Sequence, residues 1–198
     1  MQGKTNQSYK NNQNNLTNYG FYQTNQPYKN NQNNLSYMLQ NLAQNQGLTG
    51  DQISSILNMT EKKIALQKWS YVLEKLAKDQ KLTEDQINKI LKMTNEIASQ
   101  NWVYMLQSLA QNQELTSNQI SSILKMTEKK IDVQNWSDVL ENLAKNQELT
   151  ENQINSILEM AGSIDPTSRS YVLGNLAKNQ ELTENQISSI LNMTEKKN

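Results

Sequence analysis

One phrase recurs five times. "LTENQISSILNMT", opening at Leu182, is nearly a copy of "LTGDQISSILNMT" at Leu48, and close variants open at Leu82, Leu115 and Leu149. Aligning the chain on itself gives units that begin at residues 36, 70, 103, 137 and 170, a period of 33 to 34 residues. A fixed period in this range marks tandem supersecondary units that bury their apolar faces against their neighbours. Such a constraint narrows the fold more than any single motif does.

The helix signals inside a unit are local and repeated. Thr49, Thr83, Thr116, Thr150 and Thr183 are each followed three residues later by Gln52, Gln86, Gln119, Gln153 and Gln186. This Thr-x-x-Gln spacing is a capping box, in which hydroxyl and amide satisfy backbone groups at a helix start. A short helix carrying Ile53, Ile56 and Leu57 on one face follows, and the Met59, Met93, Met126, Met160 and Met193 column ends it. A longer helix comes next, with Ile64, Trp69, Val72, Leu73, Leu76 and Ala77 at three- and four-residue steps. In the fourth unit Asp165-Pro166 marks that helix's start, as an N-cap followed by Pro in the first turn. The expectation is an all-α, right-handed α-solenoid of about five short–long helix pairs over residues 35–198.

Residues 1–34 are of a different kind. Asn and Gln dominate, aliphatic residues are nearly absent, and "YKNNQNNL" occurs at Tyr9 and again at Tyr28. A segment so poor in apolar side chains cannot offset the entropy of ordering, so a disordered tail is expected. It reads either as a flexible leader or as a translocation or recognition tail.

Composition restricts the chemistry. The chain has neither Cys nor His, which removes thiol chemistry, zinc fingers and the usual general base. Its 19 basic and 19 acidic residues cancel, so no bulk attraction to nucleic acid or anionic lipid is expected. No apolar run approaches the roughly 20 residues of a membrane span, and the first residues lack a classical signal peptide. The expected protein is soluble, cytoplasmic or exported by a signal-independent route. No catalytic, cofactor-binding or metal-ligating constellation is present, and the scattered Asp and Glu fall on solvent-facing positions.

The unit at residues 48–81 resembles the repeats of TAL effectors and TAL-effector-like proteins. The likeness rests on Leu48-Thr49, Gln52, Ile53, Ile56, Lys63, Ala65, Leu66, Leu73 and Leu76, and its spacing holds over residues 36–198. It implies a helical solenoid and, as one possible activity, binding of double-stranded DNA. In that family two variable residues between the helices read a base, a Gly-Gly pair follows, and a Lys lies near phosphate. The corresponding pair here is Met59-Thr60 and its equivalents, almost constant along the chain, and Glu61-Lys62 stands where Gly-Gly would be. Lys63, Lys130 and Lys197 occupy the phosphate-side position, for which the second and fourth units have no equivalent. Tetratricopeptide units share the period, but their small-residue pattern and closing Pro are absent.

Several columns are candidate contact residues. Asn58, Lys92, Lys125, Glu159 and Asn192, just before each Met, vary within a constant frame, as a binding ridge or an unconstrained surface would. Tyr37, Tyr71, Tyr104 and Tyr171, with Asp138 in the same register, lie at the edge of the apolar stripe, where amphipathic Tyr suits partner contact. Trp69, Trp102 and Trp136, replaced by Arg169 at the end of the fourth unit, suit packing between units or ligand stacking. The Met column fills a core or forms an adaptable surface. Together these features lead to a non-enzymatic binding module, either a protein-interaction scaffold or exported effector, or else a DNA-binding array. Neither a cofactor, a membrane nor a small-molecule substrate is expected.

Overall fold

The computed structural model describes the backbone of residues 27–62, 66–96, 102–129 and 135–195, with side chains at 34–60, 69–94, 102–129 and 135–195. The chain divides into two units, Met1–Leu35 and Ser36–Asn198. Within the first unit the described residues are helical from Pro27, so a helix occupies part of what composition marks as a tail. Residues 1–26, where the remainder of that tail falls, lie outside the described residues, as do Lys63, Ile64 and Lys130.

Among the described residues there are ten helices and no strand: α1 (Pro27–Asn45), α2 (Gly50–Lys62), α3 (Leu66–Asp79), α4 (Glu84–Glu96), α5 (Trp102–Asn112), α6 (Ser117–Lys129), α7 (Trp136–Asn146), α8 (Glu151–Ala161), α9 (Pro166–Asn179) and α10 (Glu184–Glu195). Odd-numbered helices α3, α5, α7 and α9 pack each against the next, and even-numbered helices α2 to α10 do the same. Cross-contacts between consecutive helices, such as α8 with α9 and α6 with α7, join the two rows.

The expected step from a short to a longer helix is seen from α8 to α9, of 11 and 14 residues, and the starts of α3 and α5 adjoin residues outside the described set. The Met column does not end the even helices, four of which run past it through the following Thr. The reason is local: nothing after Met59, Met93 or Met126 breaks a helix, and the next Thr joins the turn. The Thr94 and Thr127 hydroxyls donate to Ile90 O and Ile123 O, one helical turn back, and Thr60 to Leu57 O. In the fourth unit Ala161-Gly162 replaces Thr-Glu, and α8 stops at Ala161.

All five capping boxes form. The Thr49, Thr83, Thr116, Thr150 and Thr183 hydroxyls each accept from the backbone N–H of the Gln three residues on, at 3.3 to 3.4 Å. Each Gln Oε1 accepts the Thr N–H at 2.9 to 3.0 Å. Asp165 caps α9 through Oδ1, which accepts from Thr167 N and Ser168 N, with Pro166 in the first turn.

The core lies between the rows. Ile53, Ile87, Ile120 and Ile154 from the even helices are buried, as are Leu73, Leu106, Leu140 and Leu173 from the odd ones. Burying a Leu or Ile side chain stabilises by about 1.5 to 3 kcal/mol. Trp69, Trp102 and Trp136 are buried too, so this column packs inside the protein and is not a ligand-stacking strip. At the end of the fourth unit the Trp position holds Arg169, whose guanidinium instead donates to Ile164 O at 2.8 Å, under the turn before α9.

Candidate interaction surface

Two columns of glutamine tie each unit to the one before it. The capping-box glutamines do so with the end of the amide that their own Thr leaves free. Gln86 Nε2 donates to Gly50 O and Ser54 Oγ, and Gln119 Nε2 to Glu84 O and Asn88 Oδ1. Gln153 Nε2 donates to Ser117 and Ser121, and Gln186 Nε2 to Glu151 O and Asn155 Oδ1. One amide thus closes a helix N-terminus and sets the register between neighbouring even helices.

The second column, Gln80, Gln113, Gln147 and Gln180, follows the odd helices. Gln113 Nε2 donates to Ala77 O at 2.6 Å and Gln80 O at 2.8 Å, while its Oε1 accepts Leu82 N–H at 3.0 Å. Gln80, Gln147 and Gln180 repeat the arrangement on the units before them. Carbonyls left without partners at a helix C-terminus are therefore satisfied by a side chain some 33 to 37 residues away. The polar "KNQEL" stretch and its variants give no local sign of this role. The available signal was a Gln that never varies at that position in all five units.

These ladders leave a polar surface over the even helices. Asn58, Lys92, Lys125, Glu159 and Asn192 are all exposed there, one per unit. A groove of about 640 Å³ between α6 and α8 brings Lys125 and Glu159 together with Ser121, Asn152 and Ser156. A smaller groove between α2 and α4 is lined by Asn58 and by Lys89, whose ammonium donates to Asn58 Oδ1. The described side chains of the even helices carry eight acidic groups (Asp51, Glu84, Asp85, Glu128, Glu151, Glu159, Glu184, Glu195) against four lysines (Lys89, Lys92, Lys125, Lys129).

The columns that the TAL-effector resemblance would assign to base reading are mostly inside. Thr60, Thr94 and Thr127 are buried, as are Met93, Met126 and Met160, whereas Met59 at the first unit is 40% exposed. The Thr60 hydroxyl lies 3.5 Å from Met93 Sδ in the next unit, a contact between units.

The tyrosines form a separate surface on the odd helices. Tyr37, Tyr71, Tyr104 and Tyr171 are 68, 45, 45 and 60% exposed. Tyr104 Oη accepts from Asn135 Nδ2 at 3.4 Å, and Asn135, at φ 70°, adopts the left-handed conformation that Asn tolerates better than most residues. In the same register Asp138 is half-buried, and burial pushes its carboxyl above the ordinary range. Charged side chains around this row are mixed, with Glu74, Lys75 and Lys78 on α3 and Glu141 and Lys145 on α7.

Chemically, the even-helix surface offers hydrogen bonds and scattered charge, and the odd-helix row adds aromatic contact. Among the described residues no three acidic side chains gather as a metal site would require, and no helix is long and apolar enough to cross a membrane. The structure defines an all-α protein of tandem helix pairs. No protein family, curated protein or solved structure matches this chain.

Proposed function

We propose that this chain is a non-enzymatic helical-repeat binding module, a right-handed α-solenoid that recognises another protein. The solenoid reading is supported by the 33- to 34-residue period and by packing of each helix on the helix two places along. The partner reading is carried by one observation: Tyr recurs at an exposed register in four of the five units, at Tyr37, Tyr71, Tyr104 and Tyr171. Tyr is enriched at protein interfaces because it offers large contact area at low entropic cost with a polar tip. Asn58, Lys92, Lys125, Glu159 and Asn192 would supply a second, variable contact line on the even helices.

Binding of double-stranded DNA is the competing reading. It calls for a positive surface, since phosphate neutralisation supplies most of the affinity, and for base-facing side chains. The acidic excess on the even helices and the buried Thr column weigh against it. Lys63 and Lys130, the two lysines it relies on most, fall outside the described residues.

A photo-crosslinking residue at position 71 or 104, activated in cells that produce the protein, tests the two readings together. A protease-sensitive adduct of discrete size, absent when the probe stands at exposed position 148 in the turn between α7 and α8, supports the proposal. Nuclease-sensitive adducts, together with salt-sensitive gel shifts on mixed duplexes, would replace it with the DNA reading.

A further inference from the structure

The two ends of the repeat array are mismatched to solvent in complementary ways. At the α1–α2 end Met38 is 48% exposed, although its equivalents Val72, Met105, Val139 and Val172 are fully buried. At the α9–α10 end Ile187 and Leu191 are 46 and 56% exposed, although Ile53 and Leu57, in the same register of a nearly identical helix, are buried. Ala177 and Thr194 are exposed there too, against buried Ala43, Ala77, Ala110 and Ala144 and buried Thr60, Thr94 and Thr127. Helical-repeat proteins ordinarily protect such ends with polar substitutions. Here α10 keeps the residues that interior helices bury.

The hydrogen bonds tell the same story. Gln86, Gln119, Gln153 and Gln186 are buried and donate to the preceding even helix, whereas Gln52 is exposed and, among the described residues, has no even helix before it. The matching acceptors at the other end are Glu184 O and Ser188 Oγ, in the register of Gly50 O and Ser54 Oγ. Likewise Gln46 stands in register with Gln80 and Gln113, and Leu182 N–H stands in register with Leu48 and Leu82 N–H. Each end carries the half of the internal interface that the other end lacks.

We propose that these faces are completed by a second copy of the chain, with α1–α2 of one molecule stacking on α9–α10 of another as α7–α8 stacks on α5–α6. Met59 would then meet Thr194 as Met93 meets Thr60, and Gln52 would reach Glu184 O and Ser188 Oγ. A heterologous contact of this kind leaves one end of each kind free at the dimer, so assembly continues beyond the dimer, into a ring where the rotation closes and otherwise into an open ladder of head-to-tail oligomers. The inference rests on the internal packing and is independent of which partner the tyrosines recognise.

Sedimentation of the full 22.7 kDa chain from low to several hundred micromolar tests it. The weight-average mass is expected to climb without a plateau at the dimer. Leu191→Glu and Met38→Glu, both at sites exposed in a single chain, should each leave a folded monomer, with association weakened roughly a hundredfold or more. Mixing the two variants should restore one species, a one-to-one dimer, because each retains the end that the other has lost. Ile187→Lys provides a second lesion at the α10 face should Leu191→Glu disturb folding. A wild-type chain that stays monomeric throughout overturns the proposal. So does self-association that survives Met38→Glu unchanged, which would indicate a symmetric contact between α10 faces.

Discussion

Replacing Gln113 with alanine removes one side chain and strands three backbone groups. Gln113 Nε2 donates to Ala77 O and Gln80 O, and Gln113 Oε1 accepts Leu82 N–H, all at a side chain only 7% exposed. A net hydrogen bond contributes about 0.5 to 1.5 kcal/mol, and a buried group left without a partner costs about 1 to 3 kcal/mol. Water admitted at the turn would recover part of this for the two carbonyls, while Leu82, itself buried, leaves less room at its N–H. The expected loss is about 3 kcal/mol, equivalent to about 6 to 12 °C in Tm for a domain of this size. Gln46→Ala is the internal control, because Gln46 follows a similar "LAQNQ" segment but is exposed at the start of the array. Its expected cost is below about 0.5 kcal/mol, as for surface positions generally. Urea unfolding followed by circular dichroism measures both. Equal losses for the two variants, or a Gln113→Ala protein indistinguishable from wild type, would refute the claim that this column joins the units.

Other substitutions separate the remaining contributions. Trp102→Ala deletes a fully buried ring and should cost about 3 to 5 kcal/mol, read as a collapse of the thermal melt. Thr116→Ala should cost about 1 kcal/mol through loss of the cap, and Gln119→Ala distinctly more, because that amide also holds Glu84 O and Asn88 Oδ1. Tyr71→Ala with Tyr104→Ala should leave the urea midpoint within error and weaken partner binding at least roughly tenfold, scored by competition against wild type. Two carboxylates should show opposite pH signatures. The hydrogen bonds to Asp165, from the Ser168 side chain first and then the Ser168 and Thr167 backbone, hold its carboxyl below the ordinary value. Its stabilisation is present above that ordinary value and lost as pH falls through the lower folded value. Asp138 is raised by burial, so its contribution is most favourable below the ordinary value and declines as pH rises through the folded value. Asp138→Asn should therefore exceed wild type in stability at neutral pH and converge with it in acid, whereas Asp165→Asn should fall below wild type at neutral pH.

What the chain alone determined is whatever closes within a few residues. Thr-x-x-Gln satisfies a helix start inside one turn, Asp165-Pro166 does the same for α9, and the three- and four-residue apolar spacing marks the buried stripe around Leu73 and Leu76. The ten helices among the described residues follow from such local rules; the variable column from Asn58 to Asn192 and the four tyrosines are exposed, whereas Asp138 in the tyrosine register is half-buried. Helix lengths were misjudged because Met was read as an end, although the Thr after it returns its hydroxyl to the preceding turn. Tertiary structure alone decided what each repeated residue does. Gln46 and Gln113 stand at the same step of the repeat, and so do Leu57 and Leu191, yet one of each pair is buried and the other meets solvent. The physical reason is that these side chains are satisfied by groups some 31 to 37 residues away, in a neighbouring unit. No local spacing records whether that neighbour is present.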